Sequence, residues 1–292
     1  MEPESRPSST PEERGPQGPL FRGLRVGDGV FETVRTYYGR PFRLEQHLRR
    51  LSDSAERIGL RDRPSPSELT HAILDQLGHR RAQTPGTEWV IRAILFEEGD
   101  RSGRLIQVEP FDSKQAKGPP AGLSTGRSRY PHPGRYLCPP GSDLPVKWLA
   151  RGPLAHALRD ARSRGWDEAL LADSEGRLVE GTRSNLVVES AGALIAPGPR
   201  SFALPGVTRE VVVELARGRG LPVLDRGVTL DELRGCSSAF LTSSLLGVAP
   251  VERFEDGLLL ARSRPSEISR WLLDAFQETV ERESRIEPGT KI

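Results

Sequence analysis

Between Gly118 and Asp143 the chain runs GPPAGLSTGRSRYPHPGRYLCPPGSD, so dense in glycine and proline that it holds no sustained helical or strand period. No regular element is expected to run through such a stretch, so the 292 residues are expected to divide around it. This predicts a tail over 1–20, a small unit over 21–117, a linker over 118–143 and a large unit over 144–292. The tail is rich in Pro, Ser, Glu and Gly and cannot bury enough surface to offset its ordering entropy, so disorder is expected there.

In the small unit, GVFETVRTYYG alternates apolar and polar residues and then turns at Gly39-Arg40-Pro41, a hairpin signature. Leu44, His47, Leu48, Leu51, Ala55 and Ile58 follow at helical spacing. Pro64-Ser65-Pro66-Ser67 ends that helix and caps the next, SELTHAILDQLGHR, and WVIRAILFEEG and GRLIQVEPF read as strands. In the large unit, helices PLAHALRDARSRG, TREVVVELARGRG and SEISRWLLDAFQETVERES are set among short strands such as DEALLAD, RLVEGTRSNLVVES, SAFLTSS and GVAPVERF. The class is α+β.

No window approaches the roughly 18 consecutive apolar residues that span a bilayer, and the first residues lack the apolar core of a signal peptide. A cytoplasmic protein without membrane contact is expected. Cys138 and Cys236 match no metal-ligand spacing and read as reduced thiols, so no metal is expected. Net charge is only +2, with 42 basic and 40 acidic residues interspersed, and nucleic acid is not an expected partner.

Of the 42 basic residues only Lys114, Lys117, Lys147 and Lys291 are lysine. Where mere charge is needed this chain uses arginine. Three of the lysines lie in polar or loop-like sequence, whereas Lys147 sits between Val146 and Trp148 in DLPVKWLA. A lysine there either snorkels from a strand end or is desolvated toward the neutral amine that forms imines, which arginine cannot do. Glu180, in LVEGTRSNLVV, falls between two strands; it is either an ordinary edge-strand carboxylate or one placed against a pyridinium nitrogen. Three places suit a phosphate: the helix start at Pro205-Gly206-Val207-Thr208, with Thr208 as N-cap or hydroxyl donor, the strand end Thr242-Ser243-Ser244, and Arg50 in HLRRL.

The order GDGVFETVR, HLRRL, a lysine, EGTRSN, LPGVTR and TSS before APV resembles the fold-type-IV pyridoxal-phosphate enzymes: branched-chain and D-amino-acid aminotransferases and aminodeoxychorismate lyases. The resemblance spans about residues 23–252. It implies a small α/β domain, a larger domain with a β pseudo-barrel, and a homodimer. It also implies pyridoxal 5′-phosphate bound to Lys147 as an imine, with Glu180 at the ring nitrogen and Arg50, Val207, Thr208, Ser243 and Ser244 at the phosphate. Ala150 stands where many D-amino-acid enzymes and lyases have Asn, and Phe31 where D-amino-acid enzymes often have Tyr, so the subfamily stays open.

The substrate side is expected to involve Phe31 and one or more of Arg25, Arg92 and Arg183, which could bind a carboxylate. Arg92 is the most informative of these, because an arginine inside the apolar strand WVIRAIL must pair or face a cavity. The expected activity is transamination between an amino acid and a 2-keto acid. The alternatives are an aminodeoxychorismate lyase releasing 4-aminobenzoate and pyruvate and, more remotely, a non-catalytic scaffold.

Overall fold

In the computed structural model, residues 22–98, 101–112, 122–255, 258–259 and 266–285 are described. The tail expected over 1–20 and Lys114, Lys117 and Lys291 lie outside them. After a short α1 (Arg22–Val26), the alternating segment forms β1 (Gly29–Tyr37) and turns at Gly39, whose φ of 72° suits glycine, into β2 (Arg40–Pro41). The helical spacing becomes α2 (Leu44–Arg57), which buries His47, Leu48, Leu51 and Ala55, the stripe predicted for it. Next, α3 (Pro66–Gln83) starts from Ser65 in a capping box with Glu68, with proline at its first position. β3 (Trp89–Glu98) and β4 (Arg101–Pro110) complete an antiparallel sheet of order β2-β1-β3-β4. Val30, Val34, Ile91, Ala93 and Leu95 on one face of this sheet share a core with Leu48, Leu51 and Ile73 of the two helices.

The second sheet is built from β5 (Leu123–Arg127), β6 (Glu168–Ala172), β7 (Leu178–Gly181), β8 (Asn185–Ser190), β9 (Ala193–Ile195), β10 (Val223–Leu224), β11 (Ser238–Ser243), β12 (Gly247–Phe254) and β13 (Leu258–Leu259). Between these strands lie α4 (Gly152–Ser163), α5 (Val207–Gly218) and α6 (Leu230–Arg234), and α7 (Glu267–Ser284) follows the last. Six strands, in the order β8-β11-β12-β5-β6-β7, close on themselves where Glu180 of β7 pairs with Asn185 of β8. This ring is a closed six-strand β barrel, and β9 and β10 extend from β8 beyond it.

Alternation divides the barrel strands between two cores. Leu186 and Leu241 join Leu123, Leu170 and Phe254 in one cluster, while their neighbours Val187 and Phe240 pack with Val212 of α5 and Leu272 of α7 in another. Both faces are therefore covered, which is why NLVVE and SAFLT read as nearly continuous apolar runs.

Two placements cut across the glycine- and proline-rich stretch. β5 lies within 118–143 and pairs parallel with both β12 and β6. Val146 and Trp148, just past the stretch, pack into the core of the first sheet.

The cap of α3 is an isolated feature that can be tested directly. Ser65→Ala should lower unfolding free energy by about 1 kcal/mol, read as a lower urea midpoint at unchanged m-value.

Candidate active site

The segment carrying Lys147 lies along the edge of β1: Phe31 N donates to Lys147 O at 3.0 Å, and Leu149 N donates to Gly29 O at 2.9 Å. Its side chain enters a pocket also lined by Arg50 of α2, the β7–β8 turn, the loop into α5 and the end of β11. Lys147 Nζ lies 5.1 Å from the centroid of the Phe31 ring. Burial of this amine, then the positive charge of Arg151, bring its pKa from 10.5 down to about 7, with Glu32 and Glu180 pulling the other way. The residue as a whole is only half-buried, so the amine is enclosed but reachable from the pocket. Near neutral pH a substantial fraction is the nucleophilic free base.

Glu180 faces the same pocket and is held on both oxygens. Oε1 meets His132 Nε2 at 3.0 Å; Oε2 accepts from Leu204 N at 3.1 Å and from Asn185 Nδ2 at 3.2 Å. His132 Nδ1 accepts from Gly134 N at 3.0 Å, so the ring proton sits on Nε2 and is donated to Glu180. His132 is buried and comes from the glycine- and proline-rich stretch, where nothing in its sequence context marks it.

Behind the pocket lies a buried ionic cluster. Glu32, 1% exposed, receives Arg50 Nε at 2.6 Å and Nη2 at 2.8 Å in a bidentate fork, and its Oε2 is 2.8 Å from His47 Nδ1. Burial alone would raise the Glu32 pKa, but Arg50 and His47 hold the carboxyl far below the usual carboxylate range. Arg50 Nη1 donates to the Pro205 carbonyl, and His47 Nε2 lies 3.4 Å from Ser244 Oγ. One cluster thus ties β1 and α2 to the start of α5 and the end of β11.

These ends form a cradle for an anion. Val207 and Thr208 occupy the first turn of α5, whose amides have no partner inside the helix. Thr208 is not the N-cap: Gly206 is, and it makes no side-chain cap bond. A Cβ at Gly206 would lie 1.8 Å from Asn185 Oδ1, so this close approach of backbone to side chain requires glycine. Ser243 and Ser244 line the pocket beside Thr242, whose buried hydroxyl finds no hydrogen-bond partner among the described residues. The pocket therefore combines an amine that is partly free base near neutral pH, a fixed carboxylate and an anion cradle, a set suited to a phosphorylated carbonyl compound.

Lys147, Glu180, Arg50, Val207, Thr208, Ser243 and Ser244 come together in this one pocket. The candidate substrate residues scatter. Phe31 lies beside Lys147, and Arg183 lines the pocket with Nε 3.7 Å from Glu168 Oε2. Arg25 is an exposed residue of α1 outside the pocket lining. Arg92 is paired at 2.5 Å with Glu109 of the neighbouring strand, with 37% of its side chain exposed, and is likewise outside the lining. The apolar spelling of WVIRAIL reflects a strand whose other face is covered by α2 and α3. Arg151, His132, Glu32 and His47 were not singled out as site residues; Arg151 stands four residues after Lys147, and the other three are identified only by tertiary contact.

A sequence profile of the family described as Amino-transferase class IV matches residues 29–254. The chain is similar to the D-alanine aminotransferase of Listeria innocua, at 29% identity over 272 residues, covering 89% of this chain and 90% of the relative. It is 27% identical over 282 residues to the branched-chain-amino-acid aminotransferase of Escherichia coli, covering 88% of this chain and 85% of that one. Among solved structures, a branched-chain aminotransferase from Thermoproteus uzoniensis with norvaline superposes with a TM-score of 0.79 at 26% identity, covering 92% of this chain and 91% of that one.

The ionic cluster gives a pH signature. Burial pushes His47 below its usual 6.5 against the pull of Glu32. Just below pH 6.5 the unfolded chain therefore takes up a proton that the folded chain refuses, and stability rises with pH through that window and falls below it. His47→Gln should flatten this slope in melts across pH 5–7. Glu32→Gln, by leaving Arg50 without its carboxylate, should cost about 3–5 kcal/mol of stability.

Proposed function

The chain belongs to the class-IV amino-transferases, a pyridoxal 5′-phosphate-dependent family, and from that premise we propose that Lys147 is the lysine that joins the cofactor covalently. The enzyme moves an amino group between an amino acid and a 2-keto acid. The observation that carries the Lys147 assignment is its amine, brought to a pKa of about 7 inside a pocket that also holds Glu180 and the anion cradle.

The residues present fit the cofactor. Its phosphate would meet the α5 amides of Val207 and Thr208, the hydroxyls of Ser243 and Ser244 and the unpartnered hydroxyl of Thr242. Arg50 has five N–H donors, of which three are spent on Glu32 and Pro205, so two remain for the phosphate. Glu180, fixed by His132, Asn185 and the Leu204 amide, would face the ring nitrogen and keep it protonated.

When bound, the cofactor supplies an electron sink for the pair left at the substrate Cα. The protein contributes position and proton transfer. Lys147 Nζ, with its pKa near 7 in this pocket, would take the proton from the substrate Cα and hold it for return to the reacting group. Phe31 floors the space beside that amine. No observation favours the aminodeoxychorismate lyase reading over this one.

Two relatives carry names for branched-chain amino acids and for D-alanine, so we take the donor to be an amino acid of one of these kinds, with the hand left to experiment. The same proposal places a division between a small unit over 21–117 and a large one over 144–292, with β5 of the joining segment serving the large sheet. A homodimer in the cytoplasm completes it. In support, Phe31, Ile94 and Leu105 form a half-buried apolar row on the face of the first sheet away from α2, and Cys138 and Cys236 stay unbridged.

Borohydride reduction of the holoenzyme followed by peptide mapping should place the pyridoxyl group on Lys147, and a label on Lys114 or Lys117 would end the assignment. Lys147→Ala should fold normally and lose turnover. Glu180→Gln should keep the cofactor's visible band yet slow turnover by roughly a hundredfold, the scale on which one electrostatic partner acts at a reacting centre.

A further inference from the structure

Arg151 enters the pocket from the turn before α4. Its guanidinium carbon lies 5.6 Å from the Phe31 ring centroid, and Lys147 Nζ lies 5.1 Å from the same centroid, so both groups sit against one ring. Burial depresses the Arg151 pKa, and Glu180 and Glu168 oppose this only through their charge.

Its hydrogen bonding is sparse. Of five N–H donors, the structure assigns one, from Nη2 to the carbonyl of Thr182, and no carboxylate among the described residues lies within ion-pair distance. Arg50, Arg92 and Arg183 are committed elsewhere. Arg50 serves Glu32 and Pro205, Arg92 is paired with Glu109, and Arg183 leans toward Glu168 with half of its side chain in solvent. A largely covered guanidinium with unspent donors, opening on the cavity that holds the reactive amine, lacks an anion of its own.

We propose that Arg151 receives the carboxylate of the amino donor and of the keto acid, placing the bound carboxylate beside Lys147 and Phe31. This rests on the reading of the pocket as the transamination site. It adds a link between binding and protonation: Arg151 holds the Lys147 amine toward its neutral form, and a carboxylate seated on Arg151 cancels part of that charge. Substrate arrival thus makes the site more basic at the moment a proton must be accepted there.

The test uses the holoenzyme with acetate and glutarate as unreactive carboxylates. Their dissociation constants are read from the cofactor's visible band and by competition against the amino donor. Arg151→Gln should weaken binding about tenfold or more, the loss expected for a hydrogen bond to a charged group, while the visible band and melting temperature persist. Arg151→Lys should restore part of it. A loss shared by acetate and glutarate assigns Arg151 to the carboxylate next to the amine and supports the proposal, whereas a loss confined to glutarate assigns it to a distal carboxylate and overturns it.

In the unaltered enzyme, saturating glutarate should raise the pH midpoint of the visible band, a readout that does not depend on the variants folding. Unchanged dissociation constants in Arg151→Gln with the band intact, or no rise in that midpoint, would overturn the proposal. A wild-type protein that acquires no visible band with pyridoxal phosphate would instead remove the transamination reading, and this inference with it.

Discussion

Glu32 lies inside the protein as a carboxylate, a state tolerable there only because Arg50 grips both of its oxygens and His47 holds one of them. That requirement fixes the distance and rotation of α2 against β1. Through the Pro205 carbonyl and Ser244 it also fixes where α5 begins and where β11 ends. The anion cradle is made of those two ends. The small sheet and α2 therefore shape a binding site whose backbone belongs mostly to the barrel and the start of α5, with Arg50 reaching the cradle from α2.

Charge in the pocket is arranged by partner rather than by count. Arg50 is neutralised on one side and left with two donors; Glu180 is held by three donors, which fix it in place and leave acceptor capacity toward the pocket; Lys147 and Arg151 share the Phe31 ring and the charge of Arg151 disfavours the protonated amine. The result is a gradient from an anion-seeking end at α5 to an amine beside β1 that Arg151 holds toward its neutral form. A cofactor that is anionic at one end and electrophilic at the other has a single productive orientation along it.

Much of this was legible in the sequence for identifiable reasons. Lysine is so rare in this chain that Lys147, flanked by Val146 and Trp148, stands apart, and the motifs around Glu180, Val207 and Ser243 fall at strand and helix ends whose spelling follows local backbone needs. The strands of the small sheet were readable because only one of their faces is covered by helices, which imposes alternation. What escaped depends on contacts between distant segments. His132 and Glu180 are 48 residues apart, and Glu32 is an ordinary strand glutamate until α2 brings Arg50 to it. Of the two options open to Arg92 in the sequence, a partner or a cavity, only the folded chain picks out the partner, since Glu109 becomes its neighbour once β4 is paired. The stretch over 118–143 hid β5 because five residues are too few to show a period among glycines and prolines.

The position of β5 bears on how the chain reaches this structure. In the ring it sits between β6, which follows soon in sequence, and β12, with Val251 pairing to Leu123 across more than a hundred residues. Such a pairing carries a large loop-closure entropy and is slow to form. During synthesis, β1 to β4 and their two helices can assemble early, whereas β5 keeps one open edge until the chain has emerged past residue 254. The cradle hydroxyls at the end of β11 arrive almost as late. A growing chain therefore holds an unpaired strand edge through much of its elongation, and the binding site is completed only with the last turns of the barrel.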